Sequence, residues 1–222
     1  MDLGLQSLNL CYSAAIKVAT QPSQAYHFRT ACKFHSGTDG ASSESYSFTR
    51  SQDWFTHNIA IWEPYIDTLL STLPVGHAPR ALEVVSREGR SAVYILTKLC
   101  NTPDSLLVCN FDLLRTVASR ERHAKVIHNL TLTGSPFRLD NFSTFGLMTL
   151  LNEETLANQD GGFDFVYIDG SHEADDTFLD AELAWRLTRL AGLIILDNYK
   201  WDRESASSMH HPAWGIDTFI TA

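Results

Sequence analysis

Apolar positions along the chain follow two alternating periods. In residues 51–73, "SQDWFTHNIAIWEPYIDTLLSTL", Ile59, Trp62, Ile66, Leu69, Leu70 and Leu73 recur at helical spacing. That spacing predicts a helix, and "VGHAP" at 75–79 breaks it. Next come "RALEVVS", a short apolar strand, and "GRSAVYILTKLC", a helix to pack on it. "DSLLVCNF" predicts a second strand, and "DLLRTVASRERHAKVIHNL" a helix with a short strand at its end. "SPFRLDN" predicts a third strand and "TFGLMTLLNEETLA" a helix. "FDFVYID" is a strand, "EADDTFLDAELAWRLTRL" a helix and "AGLIILDN" a strand. The runs at 163–169 and 193–197 are almost continuously apolar, as strands buried on both faces are. Strands alternating with helices of this length predict an α/β fold, a mostly parallel sheet with helices on both faces.

Residues 1–50 carry no such pattern. "HSGTDGASSESYS" at 35–47 is polar and rich in Gly and Ser, which marks residues 1–50 as a weakly ordered leader or cap. Residues 51–222 are then one domain, long enough to bury a sizeable core.

Charge narrows the partners. The formal net charge is -9, without a long Lys/Arg run. That excludes nucleic acid or an anionic membrane as the main partner. No apolar run approaches the ~20 residues that cross a bilayer. None of the four cysteines, Cys11, Cys32, Cys100 and Cys109, forms a CxxC pair. They read as free buried thiols, and the N-terminus lacks the basic region of a secretory signal. The expectation is a cytoplasmic protein, in which the sequons at Asn129 and Asn141 mean nothing.

Candidate chemistry gathers where strands end. Ligands of open α/β sheets bind beyond the carboxyl ends of the strands. The strand at 81–85 contains Glu83, the next candidate ends in Asp169, and a third ends in Asp197 and Asn198. One helix joins the last two, so a right-handed crossover predicts neighbouring strands ~4.8 Å apart. Two carboxylates and an amide oxygen there make a hard oxygen site for Mg²⁺ or a similar cation. His172 follows Asp169 across a Gly170-Ser171 turn and overhangs the same rim, a natural general base. The structural alternative is that Asp169 or Ser171 caps the next helix, with Glu173, Asp175 and Asp176 favouring its N-terminal dipole. In "EVVSREGRS", Gly89 and Ser91 open a helix whose backbone N–H groups suit a carboxylate. The G-x-G-x-x-G dinucleotide fingerprint is absent, which counts against a nicotinamide oxidoreductase. His210 and His211 lie in a polar tail and receive no role.

These segments resemble a known family. "ALEVVSREGRSAVYIL", "HNLTLTGSP", "FDFVYIDGSHEADDTFLDAELAWRLTRLAGLIILDNYKW" and "GIDTF" are similar to class I S-adenosylmethionine-dependent methyltransferases, of the methyltransferase-domain group related to small-molecule, catechol-type O-methyltransferases. The resemblance runs from about residue 52 to the end, and its most specific block is 163–201. It implies a seven-stranded Rossmann-like sheet. It also implies S-adenosylmethionine near Glu83, Ser86, Gly89 and Ser91, with Asp112 on the ribose and Asp169 beside the cofactor. Asp169, Asp197 and Asn198 match the metal ligands of the catechol type, and His172 stands where that type has a lysine base. The implied reaction is metal-assisted methylation of a small-molecule hydroxyl.

Two departures carry a second expectation. Val85 stands where the motif has glycine, and a branched side chain crowds the cofactor's methionine end. The chain also stops at Ala222, inside the helix that follows "GID", so the resemblance implies a missing final strand pair and an exposed sheet edge. Another copy of the chain or residues 1–50 would cover that edge. The alternative function is therefore a catalytically inactive, truncated or degenerate methyltransferase-like domain with a binding role.

Overall fold

Strands that are apolar on both faces need cover on both, and here they receive it. The computed structural model describes residues 15–18, 45–110, 116–140, 143–157, 162–201 and 203–222. In chain order the elements are β1 (Ala15–Val18), α1 (Ile59–Thr72), β2 (Arg80–Val84), α2 (Arg90–Lys98), β3 (Leu106–Asn110), α3 (Val117–Thr131), β4 (Phe137–Asp140), α4 (Ser143–Ala157), β5 (Phe163–Ile168), α5 (Ala174–Leu187), β6 (Thr188–Leu196) and α6 (Pro212–Thr221). The sheet runs β1-β6-β5-β2-β3-β4. Strands β2 to β6 are parallel to their neighbours, and β1 is antiparallel to β6.

Alternation along each strand divides the core in two. Ala81, Leu107, Phe165 and Ile195 face α1, α2 and α3, where Trp62, Ile66, Ile95, Leu96 and Leu130 are buried. Leu82, Val108, Val166 and Ile194 face the other way, onto Leu147 of α4, Ala181 and Ala184 of α5, and Ile216 and Phe219 of α6. Cys100 and Cys109 are free and buried, and burial pushes the Cys100 thiol up to about 12. Cys11 and Cys32 lie outside the described residues.

Three boundaries differ from the sequence expectation. The α1 helix starts at Ile59, because Asp53 accepts from the Thr56 backbone N–H at 2.9 Å and its hydroxyl at 2.7 Å, which favours a tight turn over a helix. The α5 helix ends at Leu187, and 188–190 extend β6 instead. No strand forms at the end of α3, whose last turn closes at Leu132; the next strand is β4, from Phe137.

Of residues 1–50, the described parts are 15–18 and 45–50. Ala15 pairs with Leu196 and Val18 with Leu193, so β1 of the same chain occupies the β6 edge that the sequence left uncovered. Asn129 is fully buried, accepts from Ser47 N at 2.7 Å and donates to the Glu88 carbonyl at 2.8 Å, so it is no glycan acceptor. Asn141 lies outside the described residues. No helix among the described residues is long and apolar enough to cross a membrane.

Candidate active site

Strand order reverses between β5 and β2, and their carboxyl ends open the crevice in which ligands of doubly wound sheets bind. Glu83 pairs with Tyr167 across this line, and the Asp169 backbone N–H reaches the Val84 carbonyl at 3.1 Å. The crossover through α5 places β6 directly beside β5, so Asp197 N donates to the Ile168 carbonyl at 2.9 Å. The Asn198 amide then donates to Asp169 Oδ1 at 2.7 Å, from a left-handed backbone (φ 64°) that asparagine tolerates. The Tyr167 hydroxyl donates to Asp197 Oδ2 at 2.5 Å, and Asn198 N donates to Asp197 Oδ1 at 2.7 Å.

Burial and mutual repulsion dominate the electrostatics. Burial first, then the Asp197 charge, pushes Asp169 up to about 8, against the Asn198 hydrogen bond. Burial raises Asp197 as well, opposed by the Tyr167 hydroxyl. Two half-buried like charges with an amide beside them fit a hard divalent cation in kind. As placed, Asn198 turns its nitrogen to Asp169, and both oxygens of Asp197 already accept from protein donors. Among the described residues, no group of three or more His, Cys, Asp and Glu side chains gathers for a metal.

His172 overhangs this rim. Its ring stacks flat on Trp201, centroids 3.9 Å apart and planes at 7°. Its buried Nδ1 has no hydrogen-bond partner among the described residues. Burial, then the charges of Arg87 and Arg203, hold its pKa below the usual imidazole value, so the ring is uncharged at neutral pH. Ser171, not Asp169, serves the helix entry: its hydroxyl accepts from Glu173 N at 3.2 Å. His211 has a role the sequence reading did not give it. It is buried, caps α6 through Nδ1 to Ala213 N at 3.1 Å, and its Nε2 meets the Trp201 carbonyl at 2.8 Å. His210 pairs with Glu173 at 3.1 Å.

On the other side of the crevice, the β2–α2 turn brings Glu83, Ser86, Gly89 and Ser91 together. Glu83 is fully buried and accepts from the hydroxyls of both Ser86 and Ser91. Burial raises its pKa, and those two hydroxyls and the Cys109 thiol oppose the rise. Gly89 takes the left-handed conformation (φ 78°) as N-cap of α2, and a Cβ there would stand 2.7 Å from Val126 Cγ2, so the glycine serves both the turn and the packing of α3. Val85 is left-handed too, at φ 69°. A β-branched residue there is strained by about 1–3 kcal/mol.

A strap of residues 45–58 closes the mouth. Thr49 N and Oγ1 each donate to Glu88 at 2.7 Å, and Lys125 Nζ reaches Glu88 Oε1 at 2.7 Å. Trp54 lies under the Arg87 guanidinium at 4.3 Å, and Phe48 under Arg90 at 4.3 Å. Phe55 packs edge-on against Trp62 at 4.9 Å. Among the described residues, a cavity lined among others by Gln52, Trp54, Val85, Gly89 and Asp169 measures about 40 Å³, smaller than the roughly 300–1,000 Å³ of small-molecule sites.

The structure thus brings Asp169, Asp197 and Asn198 together at one rim, with His172 on the turn above, and Glu83, Ser86, Gly89 and Ser91 at the facing turn. Asp112 lies outside the described residues. Sequence reading missed Tyr167, Asn58, Trp54, Arg87 and Trp201. Tyr167 had a signal, since it stands two residues before Asp169 and shares its strand face. Asn58, at 3.5 Å from Asp197 Oδ2, had none.

Residues 82–199 match the family model described as a methyltransferase domain. Among solved structures, the O-methyltransferase TomG of tomaymycin synthesis from Streptomyces achromogenes, in complex with S-adenosylmethionine, is 18% identical, with a TM-score of 0.50 over 71% of this chain and 66% of that one. The chain therefore spans a little under two thirds of that enzyme's length. An O-methyltransferase from Bacillus cereus, in complex with S-adenosylhomocysteine, is 18% identical, with a TM-score of 0.47 over 71% of this chain and 67% of that one. No curated protein matches the chain.

Proposed function

The chain belongs to the methyltransferase-domain family of class I S-adenosylmethionine-dependent enzymes, and from that premise we propose that it methylates a hydroxyl of a small molecule. The observation that carries the reading is the meeting of Asp169 and Asn198 at 2.7 Å on the switch-point rim, with Asp197 on the adjoining strand and His172 above. S-adenosylmethionine supplies an electrophilic methyl group on sulfur.

The β2–α2 turn and the N-terminus of α2 hold the methionine end of that cofactor, with Glu83 fixing the turn through Ser86 and Ser91. Asp169 would face the cofactor from the β5 end, and Asp112, which comes after β3 in the sequence, would take the ribose. The uncharged ring of His172 would take the acceptor's proton as the acceptor oxygen bonds to the methyl carbon, the methyl–sulfur bond breaks and S-adenosylhomocysteine leaves, and the stack on Trp201 fixes the ring for that transfer. A divalent cation held by Asp169, Asp197 and Asn198 would lower the acceptor's pKa. The free buried thiols suit a reducing compartment, and we place the protein in the cytoplasm. Calorimetric titration with S-adenosylmethionine tests the reading. A saturable heat supports it, and its absence at millimolar cofactor refutes it.

A second reading, an inactive methyltransferase-like domain with a binding role, is favoured by the strained Val85 and the narrow cavity beside it. If the native chain binds no cofactor and Val85→Gly restores binding, this reading stands. Tight binding by the native chain excludes it.

A further inference from the structure

Asp197 is held on both of its oxygens. The Tyr167 hydroxyl donates to Oδ2 at 2.5 Å, and the Asn58 side-chain amide reaches the same oxygen in a longer contact of 3.5 Å. The Asn198 backbone N–H donates to Oδ1 at 2.7 Å. A carboxylate offers about four lone-pair sites, two on each oxygen. Both sites on Oδ2 are therefore taken by protein donors. Across the rim, Asn198 turns its amide nitrogen, not its oxygen, to Asp169.

The strand places the tyrosine hydroxyl. Tyr167 of β5 pairs with Ile195 of β6, and Asp197 follows two residues further along the same face. Two residues advance roughly 7 Å along a strand, a span that a tyrosine side chain bridges. The ring is 2% exposed and packs edge-on against Trp62, centroids 4.5 Å apart, so close packing leaves the hydroxyl little room to swing away.

A cation and a donor hydrogen seek the same lone pairs of a carboxylate, so each excludes the other from a given site. We propose that Tyr167 limits divalent-cation binding at this rim: a cation takes Asp197 Oδ2 only by displacing the tyrosine hydroxyl. The inference rests on the cation site of the proposed reading and adds the residue that sets its occupancy. The reverse arrangement, in which the hydroxyl steadies a ligating carboxylate, predicts the opposite sign for the same variant.

Native protein, Tyr167→Phe, and Tyr167→Phe combined with Asp197→Asn are titrated without cofactor. Mn²⁺ binding is read from the free-ion signal in electron paramagnetic resonance, and Mg²⁺ binding by calorimetry. The native protein is expected to bind either ion no more tightly than millimolar. Tyr167→Phe, which keeps the ring and loses the donor, is expected to bind about 10- to 100-fold more tightly, and the second substitution to remove that gain. Unchanged or weaker binding by Tyr167→Phe overturns the proposal, and so does a gain that survives Asp197→Asn. The native protein tests it without any substitution, since micromolar affinity for either ion would show that the hydroxyl excludes nothing. Titration of the native protein with S-adenosylhomocysteine judges the methyltransferase reading separately. Cofactor binding beside a failed cation result overturns the Tyr167 proposal alone, and absence of cofactor binding overturns the wider reading.

Discussion

The Asn198 amide donates to Asp169 Oδ1 at 2.7 Å and so ties the ends of two neighbouring strands across a pair of half-buried carboxylates. The bond offsets part of a repulsion that a purely structural site would avoid. Replacing Asp169 by Asn removes one of the like charges. The expected outcome is a gain in stability at pH 8 of about 1–3 kcal/mol by urea unfolding, together with loss of methyl transfer. A variant that is destabilised, or that keeps its activity, contradicts the functional reading of the rim.

His172 offers a sharper separation of roles. His172→Ala is expected to lower turnover by about 10²–10⁴-fold with little change in cofactor affinity, since the ring takes a proton and is not placed on the cofactor. Steady-state kinetics beside calorimetry reads both quantities. Parallel losses in the two would show that the ring, through its stack on Trp201, mainly supports the fold.

Val85 tests strain against crowding. A glycine at φ 69° is free of the Cβ conflict that valine suffers there. Val85→Gly is expected to raise the melting temperature by a few degrees, on the order of 1 kcal/mol after the glycine's added unfolded-state entropy, and to tighten cofactor binding. A fall in melting temperature would show that the packing of the valine side chain outweighs its backbone strain.

The parallel sheet was legible because its strands are short, almost wholly apolar and separated by helix-length segments. Adjacency of Asp169 and Asp197 followed from the handedness of one crossover, and the β5–β6 register bears it out. What escaped was tertiary. Four residues at 15–18 have no periodicity of their own, and only the open edge of β6 makes them a strand. Residues 51–58 read as helix on apolar spacing, but Asp53 folds the chain back onto itself and turns the segment into a strap. Arg87 and Trp54 are 33 positions apart, and nothing in either local pattern announces that they stack.

Asp180 in α5 gives a pH signature away from the chemistry. It is 1% exposed, and burial, aided by Asp176 and opposed by Ser143, pushes it up to about 7 from 3.8. The folded state therefore holds this proton more tightly than the unfolded chain. The stability it contributes is full below about pH 4 and is lost as the pH rises through about 7. Asp180→Asn is expected to match the native protein near pH 4 and exceed it by about 1–3 kcal/mol at pH 8, by urea unfolding across that range. A constant difference at all pH values would assign the effect to packing.

Glu88 holds the strap, and its removal tests whether the strap controls access. Its carboxylate accepts from Thr49 N, Thr49 Oγ1 and Lys125 Nζ, each at 2.7 Å, and these hydrogen bonds and the ion pair hold its pKa below the ordinary value. Glu88→Ala breaks all three contacts while leaving Glu83, Gly89 and the α2 entry in place. Segment 45–58 should then exchange its amide hydrogens faster and be cut sooner by protease, with the core strands still protected. Because Gln52, Trp54 and Phe55 of the strap line the cavity beside Val85 and Asp169, loosening the strap should also raise the association rate for S-adenosylhomocysteine, read by stopped-flow quenching of tryptophan fluorescence. Faster exchange with an unchanged association rate would mean that the ligand enters by another path and that the strap only stabilises the fold.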